Sequence, residues 1–161
     1  MSSKSPAVRL KSAPAIPAPL ILERFLPYRL SILSNRVSRA IAGLYERQFA
    51  LTIPEWRVVA VLARKPGLTA GEIAEKTEMD KVAISRAVAR LVAAKRLIAS
   101  ADRTDARRQK LALSARGHAL YERIAPLAGA YEARLLEALT HEERRALDAI
   151  LDKLALAALK L

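Results

Sequence analysis

Arginine side chains are the groups in this sequence whose type and spacing best suit them for chemistry. Arg103, Arg107 and Arg108 lie close together in the segment ADRTDARRQKLALSARG, residues 101–117. The guanidinium group is charged, planar and weakly hydrated, so it binds phosphate groups and the negative potential of a narrow DNA groove. The cluster therefore indicates an anion-binding surface, although a solvated loop with local Asp–Arg ion pairs is the alternative.

Positive charge is concentrated in one part of the chain. The 161 residues include 28 Lys and Arg against 16 Asp and Glu, which gives a formal net charge of +12. Residues 81–116 carry ten basic and two acidic side chains. A generally basic proteome is one explanation of the net charge, but it would spread the charge evenly. The clustering favours a protein that binds nucleic acid.

The apolar residues recur mostly at helical spacing, so we expect a mostly α-helical fold with a small β-hairpin. The chain is 52% hydrophobic but only 4% aromatic, and the strong helix formers Ala, Leu, Arg and Glu are abundant. Apolar steps of three and four predict a helix over 25–51, and Pro54 suits the first turn of a helix over 54–64. The capping box Thr69-x-x-Glu72 opens a third helix over 70–77.

A fourth helix follows after three residues, because Asp80 is a good N-cap for a helix over 81–94. Two short helices joined by a tight turn are typical of a helix-turn-helix, although a helical hairpin within a bundle gives the same pattern. No acidic residue occurs over 81–101, whereas surface helices usually mix the two signs of charge. We therefore predict a DNA-reading helix with the contacting side chains Lys81, Ser85, Arg86 and Arg90.

Two short strands follow the reading helix. The segments RLIAS (96–100) and QKLALS (109–114) have apolar residues at alternate positions and flank a polar, turn-rich tip, which predicts a β-hairpin. This hairpin would place its tip beside the DNA that the helix reads. Its predicted DNA contacts are Arg103, Arg107 and Arg108, and Asp105 is predicted to anchor the tip.

The segments IPEWRVVAVLARKPGLTAGEIAEKT, MDKVAISRAVARL and DRTDARRQKLALSARG together resemble the MarR family of bacterial winged helix-turn-helix regulators. The resemblance runs from about residue 24 to the C-terminus, and its most specific part is the D-x-x-D-x-R wing followed by L-[ST]-x-x-G. It implies an obligate homodimer that binds pseudo-palindromic double-stranded DNA and often releases it when a small aromatic or acidic ligand binds. It also implies that Arg107 enters the minor groove. Two departures are Ala106, where many members have a basic residue, and Lys95-Arg96, where a glycine is common.

The helices outside the DNA-binding segment are predicted to form a dimerisation region. Apolar residues continue at helical spacing from Leu120 to Leu139, and the capping box Thr140-x-x-Glu143 opens a last helix. We expect a flexible tail over 1–20, a helical dimerisation region over 21–52 and 118–161, and a winged helix-turn-helix domain over 53–117. An intramolecular helical bundle is the alternative to a homodimer.

A ligand site is a further expectation from the sequence. Tyr28, Tyr45 and Trp56 could lie where the first two helices meet the reading domain and could hold an aromatic or acidic effector. Each of the three also suits the ordinary role of a core side chain.

Several classes of function lack support in the sequence. The chain has no cysteine, and its two histidines, His118 and His141, are isolated, so we expect neither a metal site nor a cofactor nor catalysis. No apolar run is long enough to span a membrane, which favours a cytoplasmic protein. We therefore expect a homodimeric, sequence-specific transcriptional regulator that acts as a repressor; an architectural winged-helix protein that binds nucleic acid without sequence preference is the alternative.

Overall fold

A computed structural model describes residues 19–101 and 108–160 of the chain. The chain divides into two compact units, Met1–Arg36 and Val37–Leu161, and each is described by itself. The proline-rich tail that was expected over 1–20 lies outside the described residues, apart from its last two positions.

Six α-helices and one two-stranded sheet account for the regular structure of the described residues. A 3-10 turn, Leu22–Arg24, precedes the first helix. The elements in chain order are α1 Leu26–Phe49, α2 Ile53–Arg64, α3 Ala70–Thr77, α4 Lys81–Ala93, β1 Leu97–Ala101, β2 Gln109–Leu113, α5 Ala115–Leu136 and α6 His141–Ala158. The predicted mostly helical fold with a small hairpin is confirmed, and the predicted ends of α1 to α4 and of both strands lie within two residues of the observed ones.

Reciprocal capping boxes open three of these helices. Thr69 with Glu72 opens α3, and Thr140 with Glu143 opens α6, as the sequence predicts. A third box, Thr52 with Glu55, opens α2. In each box the threonine hydroxyl accepts a hydrogen bond from a backbone N–H at the helix start, and the glutamate accepts one from the threonine N–H.

The helices α2, α3 and α4 pack on one another and on the hairpin, which is the arrangement of a winged helix-turn-helix. In the hairpin β1 pairs antiparallel with β2, and Leu97 stands opposite Leu113. Leu68 adds a third backbone segment, because the Leu111 N–H donates to its carbonyl oxygen at 2.9 Å. The hydrophobic core of the unit Val37–Leu161 is formed by side chains that are at most 1% exposed. They include Leu51, Val58, Leu62, Ile73, Ile84, Leu91 and Ile124.

A compact junction joins the end of α4 to the start of α5. Lys95 has a φ of +56°, which explains why a glycine is common at this place in the family that the sequence resembles. This left-handed residue lets the Arg96 N–H donate to the Leu91 carbonyl at 2.8 Å, so that α4 ends in a Schellman motif. The Ser114 hydroxyl caps α5 and also donates to the Lys95 carbonyl at 2.7 Å. The two helices are therefore held together through the backbone of Lys95 and Arg96.

Gly117 lies in the first turn of α5, pressed against this junction. A Cβ atom at this position would overlap the carbonyl oxygen of Arg96, which is backbone and cannot rotate away. The glycine of the L-[ST]-x-x-G pattern therefore permits the close approach of α5 to the end of α4.

The last helix, α6, buries no residue within the described part of the chain. Its apolar side chains Ile150, Leu151 and Leu156 are 53%, 45% and 63% exposed. No helix among the described residues is long and apolar enough to cross a membrane.

We predict that Gly117→Ala lowers the free energy of unfolding by about 1–3 kcal/mol, because the added methyl group must displace the backbone of Arg96. Gly129→Ala is the matched control, since it lies in the same helix and its Cβ would meet no atom within 4 Å. The control should raise stability by about 0.5–1 kcal/mol through helix propensity. Chemical denaturation of both variants measures the difference, and equal effects would contradict the close approach.

Candidate nucleic-acid interface

One face of α4 is fixed by burial. Asp80 caps the helix by accepting a hydrogen bond from the Ala83 N–H at 2.9 Å. Ile84, Ala87 and Leu91 are at most 1% exposed, and α4 packs against both α2 and α3. The rotation of α4 about its own axis is therefore set by the core, and the same rotation decides which side chains face solvent.

The opposite face of α4 forms a shallow, mostly apolar depression of about 360 Å³ with cations at its border. The residues that line it are all solvent-exposed, and their spacing along the chain places them on one face of the helix. They are Lys81, Val82, Ser85, Arg86 and Ala89. Three of the four side chains that the sequence predicts on this helix, Lys81, Ser85 and Arg86, are therefore brought together.

Val82 is a member of this face that the sequence analysis did not select. Its side chain is 54% exposed, although valine is usually buried. The signal was present, because Ser85, Arg86 and Ala89 follow Val82 at three, four and seven residues, which is the spacing of one helical face. An apolar residue on a reading helix can contact the methyl group of thymine.

Arg90 differs from the other predicted contacts, because its Nε lies 3.0 Å from Oε1 of Glu55. The Glu55 side chain is only 8% exposed, and its other oxygen accepts hydrogen bonds from the backbone N–H and the hydroxyl of Thr52, at 2.7 and 2.8 Å. This carboxylate therefore ties the start of α2 to α4. The geometry gives Arg90 a role in positioning the reading helix that the sequence analysis did not consider.

The residue that directly precedes β2, Arg108, lies near α3. The Arg108 Nη2 lies 3.9 Å from Oε1 of Glu72, and both side chains are about half exposed. Hydrogen bonds from the Thr69 backbone N–H and hydroxyl hold the pKa of Glu72 below its usual value, and the nearby Arg108 lowers it further. Arg103, Asp105 and Arg107 lie outside the described residues, so their predicted roles at the tip stay predictions.

The aromatic residues proposed for a ligand site do not all occur in the same unit. Tyr45 and Trp56 have ring centroids 5.1 Å apart, and Tyr121 stacks on the far side of Trp56 at 6.0 Å. Burial raises the pKa of Tyr45 to about 12, and its hydroxyl has no hydrogen-bond partner among the described residues. Tyr28 lies in the unit Met1–Arg36 and is 41% exposed.

Comparison with known proteins agrees with this geometry. The MarR family model matches residues 51–108. The HTH-type transcriptional repressor Rv2887 of Mycobacterium tuberculosis is 30% identical over 131 residues, which are 81% of this chain and 91% of that protein. The chain belongs to the MarR family. It is therefore a transcriptional regulator with a winged helix-turn-helix for binding DNA, as the sequence predicts.

The MarR fold extends well beyond the segment that the family model matches. A MarR/EmrR family regulator from Acinetobacter sp. ADP1 has a TM-score of 0.81 at 25% identity, over 88% of this chain and 100% of that one. The structure of the MarR family protein Rv2887 with salicylic acid has a TM-score of 0.66 at 27% identity, over 81% of this chain and 96% of that one.

We predict that Glu55→Gln destabilises the winged helix by about 1–2 kcal/mol, because the amide keeps the shape of the side chain but loses its charge towards Arg90. The predicted loss of stability is small because the Arg90 side chain is more than half exposed, so solvent weakens the ion pair. Glu143→Gln is the matched control, since Glu143 makes the same capping box on α6 without an arginine partner among the described residues. Thermal unfolding measures both variants, and equal losses would contradict a role for the ion pair.

Proposed function

We propose that this chain is a cytoplasmic, homodimeric repressor that binds a pseudo-palindromic DNA operator through α4 and is released by a small organic acid. The observation that carries the proposal is the exposed face of α4, where Lys81 and Arg86 border an apolar depression and no acidic residue occurs over 81–101. Such a face suits a helix that enters the major groove, because phosphates and the acceptor-rich edge of guanine attract it.

Each side chain of this face has chemistry that suits a different part of the duplex. Lys81 is the first residue of α4, and the N-terminal part of a recognition helix is the part that approaches the bases. Arg86 can donate two hydrogen bonds to O6 and N7 of one guanine, and Ser85 can donate to or accept from a base edge. Val82 and Ala89 add apolar contacts that favour thymine.

The wing completes the proposed interface. Arg103 and Arg107 are proposed to reach the minor groove beside the site of α4, with Asp105 anchoring the turn. Arg108 directly precedes β2; its side chain lies 3.9 Å from Glu72, is about half exposed and can approach phosphate.

A second copy of the chain is the proposed partner of the outer helices. The helix α6 has a complete N-cap yet buries none of its 18 residues, and an amphipathic helix gains most of its stability from a buried apolar face. In the other unit Leu26, Leu30 and Leu33 of α1 are also exposed. These helices support dimerisation through regions 21–52 and 118–161, which would place two α4 helices about 34 Å apart, one turn of DNA.

The proposed effector is a small organic acid. The relative Rv2887 has been solved with salicylic acid and with p-aminosalicylic acid. Three arginines of this chain line one cavity of the unit Val37–Leu161, which supports an anionic ligand here as well.

We predict that Arg86→Ala weakens binding to the operator by about 1–3 kcal/mol and relaxes specificity at one base pair, because one bidentate contact is lost. The operator is obtained by selection from random duplex DNA, and affinities for each single-base change are measured. Arg64→Ala is the control, since Arg64 is an exposed arginine at the end of α2 and is not part of the α4 face. A uniform loss over all sequences would indicate a phosphate contact instead.

We also predict that the wild-type protein sediments as a dimer at micromolar concentration, with twice the chain mass of 17.6 kDa. Leu151→Glu should give monomers, because it places a charge on the exposed apolar face of α6. Arg145→Glu introduces the same side chain elsewhere on α6 and should leave the dimer intact. A wild-type monomer that binds its whole operator with full affinity would contradict the homodimer.

A further inference from the structure

A cavity of about 350 Å³ lies beside the junction of α4 and α5, within the unit Val37–Leu161. Three arginines line it: Arg96 follows α4, and Arg116 and Arg123 lie on α5. The rest of its wall is apolar and is formed by Ala94, Ala119 and Leu120. This surface does not include any residue of the α4 reading face.

The positive charge of this cavity is not balanced by any residue that lines it. No carboxylate belongs to its lining, and the ion pairs found for Arg90 and Arg108 in the described part of the chain involve none of its three arginines. Arg96 donates through Nη2 to the Phe49 carbonyl at 3.3 Å. The Arg123 guanidinium lies 5.1 Å from the centre of the Phe49 ring. Both contacts are with uncharged groups, so three like charges remain around one space.

An anion in the cavity would relieve this repulsion. A guanidinium group binds a carboxylate or a phosphate through two parallel hydrogen bonds, and such charge-assisted bonds are about twice as strong as neutral ones. The apolar wall suits the carbon body of the same ligand, and a volume of about 350 Å³ lies within the range of small-molecule sites. A bare inorganic ion would leave that wall without a partner.

We propose that this cavity binds the effector, a small organic anion whose acidic group contacts Arg116 and Arg123 and whose carbon body lies on Leu120. The proposal rests on the proposed function in taking the bound molecule to be an effector of DNA binding. It assigns the acidic group to the arginine cavity and not to Tyr45 and Trp56, whose rings are packed together.

The position of the cavity connects it to the reading helix. Arg96 is the third residue after Ala93, the last residue of α4, and its carbonyl accepts a hydrogen bond from the Ser114 N–H at 3.0 Å. Its side chain meanwhile holds the carbonyl of Phe49, the last residue of α1. An acidic group held by Arg116 and Arg123 lies in the cavity that Arg96 also lines, so it competes with the Phe49 carbonyl for the Arg96 guanidinium and weakens this link between α1 and the end of α4. Binding therefore favours a position of α4 different from the one that reads DNA, and affinity for the operator falls.

Calorimetric titration of the full chain with matched probes tests the chemistry of the cavity. Salicylate and phenyl phosphate supply a carboxylate and a phosphate on the same aromatic body, while salicylamide is the uncharged counterpart of salicylate. We expect at least one of the two anions to bind with one site per chain and salicylamide to bind at least about tenfold more weakly. The stronger anion identifies the acidic group. Equal binding of salicylamide, or no binding of either anion at about 10 mM, would overturn the proposal.

Variants locate the site. The double variant Arg116→Gln with Arg123→Gln removes two charges without touching the bond from Arg96 to Phe49, and Arg134→Gln is the control on the same helix outside the cavity. We expect the double variant to lose at least about tenfold in affinity for the bound anion and the control to lose less than about twofold. Arg116→Gln alone serves if the double variant does not fold, because Arg116 is an exposed residue of the first turn of α5. Unchanged affinity in these variants places the ligand elsewhere and overturns the proposal.

Operator binding separates this proposal from the proposed function. The double variant without ligand should bind the operator with wild-type affinity, and the anion should weaken the wild type about 5- to 150-fold but the variant hardly at all. A wild-type protein that binds the anion through these arginines but shows no operator specificity would refute the proposed function alone. Operator binding that the anion weakens equally in wild type and variant would refute the cavity alone.

Discussion

The orientation of α4 depends on burial of one of its faces. Ile84, Ala87 and Leu91 are almost completely excluded from solvent, so a rotation of the helix would expose apolar area and bury charged side chains at the same time. The ion pair of Arg90 with Glu55 adds a directional tie to α2. Because α2 itself begins with the capping box that uses the same glutamate, a single carboxylate helps to set the start of one helix and the position of another.

This constraint also explains where positive charge stays available. Arg90 belongs to the supporting side of α4 and pairs with a carboxylate, whereas Lys81 and Arg86 border the exposed depression. The arginines around the cavity beside α5 are a separate set that meets the end of α4. The chain thus has two cationic surfaces that involve α4. One is the apolar depression bordered by Lys81 and Arg86 on its exposed face, and the other is the arginine-lined cavity beside its C-terminal end.

Much of the winged helix could be predicted from the sequence because its signals are local. Pro54, the boxes of Thr69 and Thr140, and the N-cap Asp80 mark helix starts that lie within one residue of those in the structure. The box of Thr52 with Glu55 carries an equally local signal and was missed. The role of Glu55 towards Arg90 has no such signal, since the two residues meet only when α2 packs on α4. Likewise, Gly117 is the glycine of the L-[ST]-x-x-G pattern in the sequence. Only the packed junction shows that the Arg96 carbonyl excludes a side chain at this position.

The central claim is that α4 presents a surface that distinguishes one DNA sequence from another. The most direct measurement is the ratio of affinities for the selected operator and for a scrambled duplex of the same length and composition, at an ionic strength of about 0.15 M. A sequence-reading helix predicts a ratio of at least about 10³. A ratio near one would contradict the claim, because phosphate contacts alone would then account for all of the binding.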